Sequence, residues 1–163
     1  MYRTIGFLLA LMGAGSVWAE LPGVLRWDVE QKIEPTYREV YKALEENRYF
    51  IILEPDIGRN LRSFKGRWGE DYNRNKLQAI RTMVFCNPWF ANRVSNMDPA
   101  LLSLCPLHVT LFEKDRTTSI VFIRPTHVGQ GSKALPVLKE IEAEVSKAIE
   151  AGIKAVTFAT RAK

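Results

Sequence analysis

Two histidines and two cysteines in 163 residues leave little material for the commoner enzyme chemistries. There is no Gly-x-Ser-x-Gly elbow to raise a serine nucleophile, no Gly-x-x-x-x-Gly-Lys-Ser/Thr loop to cradle a phosphate, and no His-Glu-x-x-His pair to hold zinc. Gly58, Gly66 and Gly69 do not follow dinucleotide-binding spacing. Acid and base work would fall to carboxylates such as Glu54, Asp56, Glu70 or Asp71, and nothing in the sequence brings two of them to one pocket. Internal repeats and low-complexity tracts are also lacking, which excludes solenoids and arrays. No segment approaches the roughly 20 apolar residues that span a bilayer.

The apolar run at 5–12 has another reading. Arg3 precedes it and small residues ending Val17-Trp-Ala19 follow, the order of charged region, apolar region and cleavage site in a secretory leader. Residues 1–19 are therefore expected to be a signal peptide, cut after Ala19. Residues 20–163 are expected to form one domain of about 144 residues, enough to bury a core without staples. The expected location is the periplasm or the exterior, with no span in the mature chain.

Of 23 Lys and Arg against 18 Asp and Glu, only Arg3 lies in the leader, so the mature excess of positive charge is mild. Seven cations, Arg59, Arg62, Lys65, Arg67, Arg74, Lys76 and Arg81, gather in a segment that also holds Phe64, Trp68 and Tyr72. Phosphates reward clustered cations and bases stack on aromatics, so this mixture could meet nucleic acid. Export argues against that partner, and a solvated, charge-rich helix and loop is the plainer reading.

Hydrophobic periodicity organises the rest. Leu25, Trp27 and Val29 alternate with Arg26, Asp28 and Glu30, predicting a half-buried strand over 25–33. Tyr37, Val40, Tyr41 and Leu44 make one helical stripe over 36–48. The run Tyr49-Phe-Ile-Ile-Leu53 reads as a buried strand, and 56–76 as a short helix followed by a loop. Residues 77–86 alternate again, and Pro88 suits the first turn of a helix running to about residue 96. Residues 107–113 and 117–124 form a hairpin around Lys114-Asp-Arg116, Gly129-Gln-Gly131 is a flexible connection, and an amphipathic helix from Pro136 ends at Gly152. The fold class is α+β: a mixed or mostly antiparallel sheet of about five strands, with helices mainly on one face.

Chemistry centres on Cys86 and Cys105, which end and begin strands as Cys86-Asn-Pro88 and Cys105-Pro-Leu-His108. In an oxidising compartment an even pair is most economically a disulfide, worth about 3 kcal/mol for a loop of this length. Met83 and Met97 lie near in sequence and His108 follows closely, so the set also suits copper, zinc or haem iron. Two buried, unlinked thiols are the third reading, as free cysteine often packs like a small apolar residue. His127 sits in a loop and identifies nothing by itself.

The ordered series Val84-Phe-Cys-Asn-Pro88, Met97-Asp-Pro99 and Leu104-Cys-Pro106, followed by a hairpin, resembles the bacterial family labelled domain of unknown function 302. The resemblance runs over about 25–124, with the C-terminal helix in keeping. It implies a compact α+β domain and, for the branch with two cysteines, residence in the periplasm. It carries no established reaction, and Cys86, Pro99, Cys105 and Pro106 are its recurrent positions here. Three readings stay open: a periplasmic binding or accessory protein holding a soft metal or haem at Cys86, Cys105 and His108 in redox or sulfur metabolism; a non-catalytic partner-binding domain stapled by Cys86 and Cys105; and a small-molecule enzyme. The partner would be a small ligand or an envelope protein.

Overall fold

The computed structural model describes residues 21–161; the expected leader lies outside them. Five strands, β1 (Val24–Val29), β2 (Phe50–Leu53), β3 (Ala79–Cys86), β4 (Leu107–Lys114) and β5 (Thr117–Ile123), form one sheet in the order β1-β5-β4-β3-β2. Every neighbouring pair is antiparallel. The expected α+β class therefore takes its all-antiparallel form.

The helices are α1 (Ile33–Glu46), α2 (Ile57–Ser63), α3 (Lys65–Trp68), α4 (Pro88–Met97), α5 (Pro125–Val128) and α6 (Leu135–Arg161), with short 3-10 turns at Gly69–Asp71 and Pro99–Leu104. Alternation along the strands sends Met83 and Phe85, Val109 and Leu111, and Ile120 and Phe122 to one face, where all six are buried. Helices α1 and α6 pack together over that face, adding Val40, Leu44, Val145 and Ile149 to the core. The opposite face carries short polar pairs, among them Thr82 with Thr110 at 2.8 Å and Ser119 donating to Asp28 at 2.6 Å.

Local chemistry sets the boundaries. The hairpin between β4 and β5 closes on two residues, Asp115 and Arg116, at φ 50° and 65°, the left-handed geometry that matches strand twist. Asn73 brackets Leu77, accepting from its N–H at 2.9 Å and donating to its carbonyl at 2.8 Å, so β3 begins at Ala79. The first strand stops at Val29 because Ile33 already opens α1, its N–H held by the Glu113 carboxylate at 2.9 Å. Pro35 is tolerated there because first-turn N–H groups have no partner within the helix.

Three expectations are corrected. The run 50–53 is a strand but not a buried one: it is the sheet's edge, and Ile52 and Leu53 are each 60 % exposed. Gly152 does not end the last helix, which runs on to Arg161. A Cβ at Gly152 would lie 2.7 Å from the Val40 Cα, so glycine is what lets α6 close on α1. Nor is Gly129 part of an open linker; it is buried, and a Cβ there would meet the Leu138 side chain.

Candidate functional site

Cys86 is the last residue of β3, and Cys105 closes the 3-10 turn that leads into β4. Since Phe85 pairs with Leu107, the antiparallel register carries both cysteines to the same end of the sheet. Their Sγ atoms stand 3.4 Å apart, unbonded, and both residues are half-buried. Burial pushes the Cys86 thiol up to about 11, with the hydrogen bond to Cys105 adding to the shift, so it stays protonated at neutral pH.

The pair borders an apolar cavity of about 30 Å³, room for one or two water-sized groups. Phe90 and Val94 reach it from α4, Leu101 and Leu104 from the 3-10 turn, and Leu138 and Ile141 from α6. Each wall is aimed by its own local chemistry. Asn87 caps α4, its side chain accepting from the N–H groups of Trp89 (3.1 Å) and Phe90 (3.4 Å), and Pro88 fits the first turn behind it. Asp98 caps the 3-10 turn through the Ala100 N–H at 3.2 Å and accepts from Ser132 at 2.6 Å, tying this turn to the loop before α6. Arg93 clamps the Glu140 carboxylate with two bonds of 2.6 and 2.8 Å, linking α4 to α6. At the cavity floor Tyr49 stacks on Phe90 at 6.2 Å and meets Phe85 edge-on at 5.8 Å, while its hydroxyl donates to Glu144 at 3.1 Å.

The other sequence-level candidates are placed elsewhere. His108 pairs with Val84 in β4, shares a face with Thr110 and is exposed. Met83 is in the core, Met97 is 42 % exposed, and neither they nor His108 line the cavity. Among the described residues no group of three or more His, Cys, Asp or Glu side chains is placed to hold a metal ion. His127 is exposed in α5, its ring against Gly23. Of the carboxylates, Glu54 accepts from Tyr37 at 2.8 Å, Asp56 caps α2 through the Arg59 N–H at 2.7 Å, Asp71 pairs with Arg74, and Glu70 is exposed.

The sequence pointed to the two cysteines but missed the cavity beside them. Leu138 and Ile141 were visible only as core positions of an amphipathic helix, and their meeting with Phe90 depends on how α4 and α6 dock. Both Cys86 and Cys105, from two of the three stretches that suggested a family, lie on this cavity, and Asp98 of the third caps the turn that forms its wall.

A family model described as domain of unknown function DUF302 matches residues 25–156. Among solved structures, the chain is similar to an uncharacterized conserved DUF302 protein from Bacillus stearothermophilus, with 16% identity and a TM-score of 0.68 over 80% of this chain and 98% of that one. At that identity the likeness speaks for the fold alone. No curated protein matches.

Proposed function

The chain belongs to the DUF302 family, and from that premise we propose that it is an exported accessory domain of the bacterial envelope whose Cys86 and Cys105 act as a dithiol that closes to a disulfide beside an apolar binding cavity. The observation that carries this reading is the 3.4 Å between the two sulfurs. Closing to a bond of about 2.05 Å needs a small motion of two half-buried side chains. The step removes two electrons and two protons, which an envelope disulfide donor accepts as it becomes a dithiol. The cavity receives a small apolar group from a ligand or partner protein, and the bond state of the thiols fixes the wall it meets. Export itself rests on the leader-like pattern of residues 1–19.

Copper, zinc or haem at Cys86, Cys105 and His108 is less well supported. Cys105 and His108 are three apart on a chain entering a strand, a spacing that in extended backbone sends side chains to opposite faces. A zinc site would need further ligands beside the two sulfurs, and among the described residues no group of three or more His, Cys, Asp or Glu side chains is placed to supply them.

The test is equilibration of the reduced protein in glutathione redox buffers, read by mass after acid quenching. An intramolecular disulfide, lost in Cys86→Ser and in Cys105→Ser, is the expected product. Glutathione adducts or disulfide-linked dimers in its place would contradict the proposal.

A further inference from the structure

The segment from α2 to Lys76 carries six cations, Arg59, Arg62, Lys65, Arg67, Arg74 and Lys76, against only Glu70 and Asp71. All six are exposed. Of these six only Arg74 has a carboxylate partner among the described residues, Asp71, while Lys65 lies over the Tyr72 ring at 5.9 Å. A solvated charged face would account for the cations. It does not account for Phe64 and Trp68, two large rings left 46 % and 39 % exposed in their midst.

Those rings are four residues apart across α3, which sets them on one side of its single turn, stacked at 5.2 Å and 19°. The segment is held to the sheet at its base. The Thr82 N–H donates to the Pro55 carbonyl at 3.0 Å, the Asp56 side chain caps α2, and half-buried Leu61 and Tyr72 line a small recess with Ile80. The aromatic pair and its cations are thus presented outward from a fixed base.

We infer that this segment docks the protein on an anionic phospholipid bilayer, with Phe64 and Trp68 entering the headgroup region while the surrounding cations meet lipid phosphates. Trp favours the interface, where its apolar body sits against acyl chains while its N–H stays wet, and Phe adds apolar area that inserts beside it. Basic side chains beside them gain from the negative surface potential. A stacked pair keeps one open face on each ring, so the choice of lipid over nucleic acid rests on the export proposed above from the leader-like residues 1–19, which takes the segment to an envelope surface.

The test is co-sedimentation of the full protein with vesicles of phosphatidylcholine alone or with about 30 mol % phosphatidylglycerol. Binding is expected to the anionic vesicles only and to fall in about 0.5 M salt. At roughly fivefold per basic residue, Arg62→Gln/Lys65→Gln/Arg67→Gln should weaken it about 100-fold. Phe64→Ser/Trp68→Ser should weaken it at least about tenfold, because the apolar insertion is lost. All five side chains are exposed, so thermal melting should show both variants folded, and wild type of the same length controls for residues 1–20. Absence of binding, equal binding to both vesicle types, or binding unchanged in either variant overturns the inference. So does a single-stranded oligonucleotide bound as tightly as the anionic vesicles.

Discussion

At the scale of single residues, the Cys86 thiol makes the sharpest demand. Burial and the neighbouring Cys105 push it up to about 11 from an ordinary value of 9.0. In the folded, reduced protein its alkylation should therefore be slow at neutral pH and climb until about pH 11, followed by peptide mapping after iodoacetamide. A rate that levels off below pH 9 would contradict the buried environment. The same shift has a stability sign. A raised pKa contributes stability that is full below the unfolded value and lost as pH rises through the folded one, so the reduced protein should weaken between about pH 9 and 11. The oxidised protein, with no thiol to ionise, should lack that loss. Asp28 behaves in the opposite sense. Burial raises it, but hydrogen bonds from Arg26 and Ser119 outweigh this and hold it below the ordinary carboxylate range. Its contribution is present above the unfolded value and lost as pH falls through the lowered one, a dependence Asp28→Asn should remove from acid denaturation curves.

At the scale of elements, the crossing of α1 and α6 depends on Gly152, because a Cβ there would meet the Val40 Cα at 2.7 Å and the Val40 backbone nitrogen at 2.8 Å. Backbone cannot rotate aside as a side chain can, so Gly152→Ala should force the helices apart and cost about 1–3 kcal/mol, read as a lower melting temperature. An unchanged or higher melting point would mean that the helices do not pack so closely. This element also marks what the sequence could and could not reveal. A glycine late in a helical pattern looks like a stop signal, and only its position against another helix turns it into a contact. The hairpin of β4 and β5 was legible because alternation and a polar two-residue turn are local. The edge position of β2 was not, because the apolar run around Phe50 and Leu53 reads alike whether it pairs on one side or on two.

At the scale of the whole molecule, the antiparallel register of β3 and β4 brings the two cysteines together, and the packing of α4 against α6 builds the cavity next to them. Both are products of tertiary assembly, which is why the sequence marked the thiols as candidates without separating a disulfide from a metal site. His108 shows the reason most clearly: close to Cys105 along the chain, it faces away once the strand forms. If the pair closes, the bond ties the β3 end to the β4 start across a loop of about 20 residues and should stabilise the domain by roughly 3 kcal/mol relative to the reduced form, measured by denaturant unfolding with and without reductant. Equal stability in the two states would mean that the bond, where formed, strains the fold as much as it restrains the unfolded chain.

The most direct measurement of the central claim is the state of the thiols in the protein as the cell makes it. Cells are quenched in acid, free thiols are blocked under denaturing conditions without reductant, and the intact mass is read. The account predicts a chain starting at Glu20 with neither Cys86 nor Cys105 blocked until reductant is added. A chain carrying two blocked thiols would contradict it, leaving the 3.4 Å approach as the packing of two unlinked cysteines.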